Sequence, residues 1–123
     1  MRPLLLCIAM DPARLMRISM TAMAQGIAVK EVKETQWGQT LGALCGLEPV
    51  KQTAAKARVG AEMMVMAFFS DIQIDDFLSA IRKNGMEPAR LKAVLTATNR
   101  AWDCGKMYAE MMLEDAALRG NKK

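Results

Sequence analysis

The sequence predicts an α/β fold: a three-layer sandwich in which helices cover both faces of a four-stranded, mostly parallel sheet of order 2-1-3-4. Three observations lead there. The runs Leu4–Met10 and Met63–Phe69 are apolar at every position, the pattern of strands buried on both faces. Each run is followed by apolar residues at helical spacing. Capping residues and glycines then divide the chain into the order β-α-β-α-β-α-β-α. The alternative is a ferredoxin-like α+β fold made of two β-α-β halves, residues 4–34 and 62–97, with an inserted short helix. That fold leaves one sheet face open, so strands one and three should alternate in polarity, and they do not.

Leu4 to Met10 is the first strand. Its resemblance to a signal peptide is superficial, because the apolar run is short and stops at Asp11 without a small-x-small site. Asp11 and Pro12 read as an N-cap and a first helical position. In the helix that follows, Arg14, Arg17, Thr21 and Gln25 form a polar stripe. Leu15, Met16, Ile18, Met20, Ala22 and Met23 cover the remainder, which predicts a largely buried helix ended by Gly26. Ile27 to Glu34 alternates charge with apolar residues, which suits an exposed edge strand guarded by lysine. A short helix is expected from Trp37 to Cys45, ended by Gly46. Residues 47–61 read as a loop or a further helical turn.

The third strand, Met63–Phe69, ends at Ser70 and Asp71. Ile74, Phe77, Leu78 and Ile81 then make one helical face, with Asp75 and Asp76 near its start and Arg82 and Lys83 at its end, as the helix dipole favours. Gly85 closes that helix, Leu91–Ala97 is the fourth strand, and the last helix spans Arg100–Leu118. A single domain, 1–119, precedes a basic tail, 120–123.

Composition narrows the chemistry. The chain has 123 residues, 12 of them Met, and only 5% aromatic residues, so Met and aliphatic side chains must fill the core. Histidine is absent, which removes Ser-His-Asp and Cys-His catalysis and every His-containing metal site. Cys7, Cys45 and Cys104 are odd in number and widely spaced, which argues against a disulfide framework or a zinc site and fits a reducing cytoplasm. No segment approaches the ~20 apolar residues of a membrane span. The net charge of +4 includes the tail, and no basic stripe is interleaved with aromatics, so nucleic acid is not an expected partner.

The default ligand site is the crevice at the C-terminal ends of strands one and three, lined by Asp11, Ser70 and Asp71, with Thr96, Thr98 and Asn99 nearby. The same residues are the preferred N-cap types at positions where helices begin. If Asp11 and Asp71 converge, they suit a Mg²⁺-assisted enzyme or a phospho-acceptor. Cys104, early in the last helix, is the other nucleophile to weigh, although Asp103 beside it opposes thiolate formation. Trp37 and Trp102 suit either a partner contact or the rim of the core.

Around Lys92, Ala93, Val94, Leu95, Thr96, Ala97, Thr98, Asn99 and Trp102 the chain resembles a small bacterial family that is a domain of unknown function. The family pattern is a lysine-containing apolar strand followed by Thr-Pro-Thr-Asn and a Trp. Here Ala97 stands where Pro is expected, which loosens the turn. The resemblance implies no activity. With no catalytic constellation in the chain, the expected function is a small cytoplasmic, non-catalytic module. It would bind a protein partner, a second copy included, or a small ligand through Thr96, Thr98, Asn99 and Trp102, without a cofactor.

Overall fold

In the computed structural model a four-stranded sheet has the order β2-β1-β3-β4, with helices packed on both faces. The structure describes residues 1–51 and 56–120, without the side chains of residues 119 and 120. The sequence-predicted tail beyond residue 120, and part of the 47–61 segment, lie outside the described residues.

The elements are β1 (Leu4–Ile8), α1 (Pro12–Ala24), β2 (Ala28–Val32), a 3₁₀ turn (Glu34–Gln36), α2 (Leu41–Leu44), β3 (Met63–Ala67), α3 (Asp71–Lys83), β4 (Leu91–Val94), a second 3₁₀ turn (Asn99–Ala101) and α4 (Cys104–Gly120). The unbroken apolar runs have a simple cause. Leu6, Ile8, Met63, Val65 and Ala67 face α2 and α4, while Leu5, Cys7, Met64 and Met66 face α1 and α3. Both sets are buried, and each large side chain withdrawn from water contributes roughly 1.5–3 kcal/mol. Both β-α-β halves of the ferredoxin-like alternative are present. In each, however, the two strands are direct neighbours, and the second sheet face is covered.

The central pair runs against the direction that a crevice shared by β1 and β3 requires. β1 is parallel to β2 and β3 to β4, but β1 and β3 are antiparallel. Ile8 pairs with Met63, so β3 starts at the end of the sheet where β1 finishes. The connection from β2 to β3 therefore begins and ends at one edge and needs no crossover. A run that is apolar on both faces carries no information about strand direction.

This pairing makes the chain an internal pseudodimer. At one constant offset, Leu4–Ile8 corresponds to Met63–Ala67, Pro12–Ala24 to Asp71–Lys83, and Gly26 to Gly85. Leu6 pairs with its own counterpart, Val65, which places an approximate twofold axis between them, perpendicular to the sheet. Burial follows the relation: Ile18, Ala22 and Ile27 are buried, as are their counterparts Phe77, Ile81 and Met86. After a four-residue shift the relation continues. Gln36 Oε1 accepts from Lys33 N at 3.1 Å, as Asn99 Oδ1 accepts from Thr96 N at 2.8 Å. Thr40 caps α2 through Ala43 N, and Asp103 caps α4 through Lys106 N. Thr40 and Asp103 also meet in an isolated bridge that joins the halves.

Helix α1 departs from the expected burial. Its polar stripe lies along α3 and the neighbouring segments: Arg14 Nε holds Glu62 at 2.8 Å, Arg17 bonds Asn84 O at 3.0 Å, and Thr21 Oγ1 accepts from Asn84 Nδ2 at 2.9 Å. The carbonyls at the C-terminus of α3 and just beyond it supply acceptors that polar side chains can use. Met16, Met20 and Met23 point outward instead, each about two-thirds exposed. Helix α2 is a single turn rather than Trp37–Cys45, and the last helix begins at Cys104 because Asp103, not Asn99, caps it.

Candidate functional site

Both strand-to-helix turns pass through a strained residue. Ala9 (φ 54°) and Phe68 (φ 65°) lie in the left-handed region, where a side chain other than glycine's is disfavoured and a bulky one is an outlier. Each strained residue lines a crevice at the C-terminal end of its parallel strand pair. The β3/β4 crevice, about 350 Å³, is walled by Phe68, Phe69, Val94, Leu95 and Leu47, with Thr96, Ala97 and Arg100 at its polar side. The β1/β2 crevice, about 300 Å³, is its symmetry mate: Ala9, Met10, Glu31, Val32, Lys33, Glu34 and Trp37 stand at the counterpart positions. The twofold axis puts the two crevices at opposite ends of the sheet.

The frame of the β3/β4 crevice is built by Asn99. Its side chain is buried; Oδ1 accepts from Thr96 N at 2.8 Å and Nδ2 donates to Val94 O at 3.0 Å. Thr96 Oγ1 accepts in return from Asn99 N at 3.1 Å, closing a reciprocal box of the kind that starts helices. Thr96 keeps its hydroxyl proton free to donate. Leu95 N donates to Met66 O at 2.9 Å, which ties the strand end to β3. Arg100 is half-buried and makes no side-chain hydrogen bond or ion pair among the described residues.

The sequence-predicted site residues divide between the two ends of the sheet. Asp11 lies beyond the end of β1, and Ser70 and Asp71 lie beyond the opposite end of the sheet, so the carboxylates of Asp11 and Asp71 do not converge. Asp11 Oδ2 accepts from the N–H groups of Ala13 and Arg14, and Ser70 Oγ accepts from Gln73 N at 3.2 Å: both are helix caps. Asp71 is exposed in the first turn of α3. Among the described residues no group of His, Cys, Asp and Glu is arranged to hold a metal ion. Thr96 and Asn99 do come together. Thr98 is exposed at the tip of the turn. Trp102 is half-buried against the α2/α4 side of the core, with Lys106 Nζ 5.1 Å from its ring centre, and its carbonyl accepts from Leu41 N. Cys104 is fully buried, and burial, with Asp103 beside it, pushes its thiol up to about 12. Burial also raises Cys7, to about 12, and Cys45, to about 11. None of the three thiols is a nucleophile near neutral pH.

Phe68, Phe69 and Arg100 are the residues that sequence reasoning missed. The two phenylalanines read as strand interior, yet β3 stops at Ala67 and the strained Phe68 turns them to the crevice. Arg100 read as the first turn of the last helix, which begins four residues later.

Residues 62–118 match the family model described as Domain of unknown function (DUF3783). The match spans β3 through nearly all of α4, so it coincides with the second unit of the pseudodimer and includes the Lys92–Trp102 stretch that carries the resemblance. Comparison with curated proteins and with solved structures gave no match. No helix among the described residues is long and apolar enough to cross a membrane.

Proposed function

We propose that the chain is a non-catalytic module that binds a small ligand in the β3/β4 crevice. One observation carries this reading: an apolar crevice of about 350 Å³ at the C-terminal ends of parallel strands, entered by a phenylalanine held at φ 65°. Strain of this kind costs roughly 1–3 kcal/mol and persists where it serves a purpose. Strand C-terminal ends are where α/β sheets place ligands, and a volume of this order suits a small molecule. Among the described residues, Thr96 and Arg100 are the lining side chains with polar groups, and neither is paired there with a base or nucleophile that would support turnover.

The test is a titration of the ¹⁵N-labelled protein with a set of small aromatic and aliphatic fragments, run in parallel on Ala97→Trp. Ala97 is an exposed wall of the crevice and takes no part in the Asn99 hydrogen bonds. Amide shifts confined to Phe69, Thr96 and Ala97 in the wild type, and lost in the blocked variant at unchanged melting temperature, support the reading. Shifts that map elsewhere, or survive the tryptophan, overturn it.

A further inference from the structure

The geometry points to a carboxylate as the group this crevice recognises: its ligand is a small apolar monocarboxylate, with the carboxylate on Arg100 and Thr96 and the apolar body against Phe68, Phe69 and Leu47. The inference rests on the crevice being the binding site and adds the chemical class of the ligand.

The crevices share one backbone frame, so differences between their linings are differences in chemistry at matched positions. Where the β1/β2 crevice carries Glu31 and Glu34, the β3/β4 crevice carries Val94 and Ala97. Both carboxylates that would repel an anion are thus replaced by apolar groups, while the cation Lys33 is replaced by the neutral Thr96. Where the first has Trp37, the second has Arg100. Trp37 is committed to the fold, since its Nε1 donates to Val32 O at 3.4 Å. Arg100 has no such commitment: its guanidinium makes no ion pair or hydrogen bond with a described residue, although acidic residues elsewhere on this chain pair with Arg14, Arg90 and Lys106.

Arg100 is half-buried at the edge of an apolar cavity, and a carboxylate offers its guanidinium a two-pronged, charge-assisted contact. Thr96 supplies a further donor. Its Oγ1 already accepts from Asn99 N, which fixes the oxygen and leaves its proton to donate. Among the described lining residues no carboxylate competes for Arg100. The crevice therefore selects charge at one side and apolar bulk at the other, and its volume limits the body to about the size of a single ring with a short chain.

The probe is 3-phenylpropionate, compared with its neutral analogue 3-phenylpropan-1-ol, titrated against the full chain and against Arg100→Gln by ¹⁵N amide shifts. The acid is expected to bind about tenfold more tightly than the alcohol, and Arg100→Gln to remove that preference while changing alcohol affinity less than about twofold. Raising the salt concentration should weaken the acid and not the alcohol. If acid and alcohol shift the same crevice amides with equal affinity, the carboxylate inference fails while the crevice reading stands. If Arg100→Gln leaves the acid's affinity unchanged, the inference fails likewise. If the acid's shifts fall on the β1/β2 crevice, both fail.

Discussion

Replacing Asn99 with alanine tests the account of the site most sharply, because two hydrogen bonds hang on one buried side chain. The substitution strips Thr96 N–H of its acceptor at 2.8 Å and Val94 C=O of its donor at 3.0 Å, in a residue only 6% exposed. Each buried polar group left unpaired costs roughly 1–3 kcal/mol, and the turn lies near enough to the surface for partial rescue by water, so a total of about 2–4 kcal/mol is expected. For a chain of this size that is a fall in melting temperature of roughly 10 °C. The assay pairs thermal unfolding with native-state hydrogen exchange. The Thr96 amide should lose most of its protection, while amides in β1, remote from the turn, should fall only with the global stability. Asn99→Asp keeps the acceptor for Thr96 and loses the donor to Val94, so it should fall between wild type and alanine. A melting temperature within about 2 °C of wild type, with Thr96 still protected, would show that Asn99 does not hold this turn.

Three further expectations follow from local packing and burial. Gly42→Ala, which in an ordinary helix interior gains about 1 kcal/mol, should here destabilise by roughly 1–2 kcal/mol. Its Cβ would sit 2.5 Å from Glu48 Oε1 and 3.1 Å from the carbonyl of Arg100, and Glu48 would lose its bond from Thr40; the urea midpoint reads this. Cys7, Cys45 and Cys104 should resist a thiol reagent at pH 8 in the native protein and react in denaturant. Their folded-state values lie above the ordinary 9.0, so the unfolded chain releases these protons first. The contribution of these thiols to stability is then full below about pH 9 and is lost as pH rises from there towards 12. A midpoint that rose over that range would contradict the burial of all three.

Local patterns in the sequence determined the elements and the order of the strands. Asp11 before Pro12, and Ser70 before the Ile74–Phe77–Ile81 face, start α1 and α3 where expected. Gly26 and Gly85 end them because each adopts a positive φ that is strained for other residues. The lysines of β2 mark it as an edge, and edge it is. Thr96 and Asn99 were legible only as polar groups clustered after a strand; that they close a reciprocal box, at the i, i+3 spacing such a box needs, was decided by the fold. Strand direction, and with it the partners of every site residue, was decided by tertiary structure. The antiparallel β1/β3 pair sends Asp11 and Asp71 to opposite ends, and apolar runs buried on both faces look the same in either direction. The partners of the polar stripe of α1 were also beyond sequence reading, because its acceptors, Glu62 and the carbonyls of Asn84 and Glu87, come from distant segments. The twofold relation left only sparse identities, among them Gly26 with Gly85 and Gly42 with Gly105. Packing needs only apolar volume at the buried positions, so the two halves differ in residue type and share one frame.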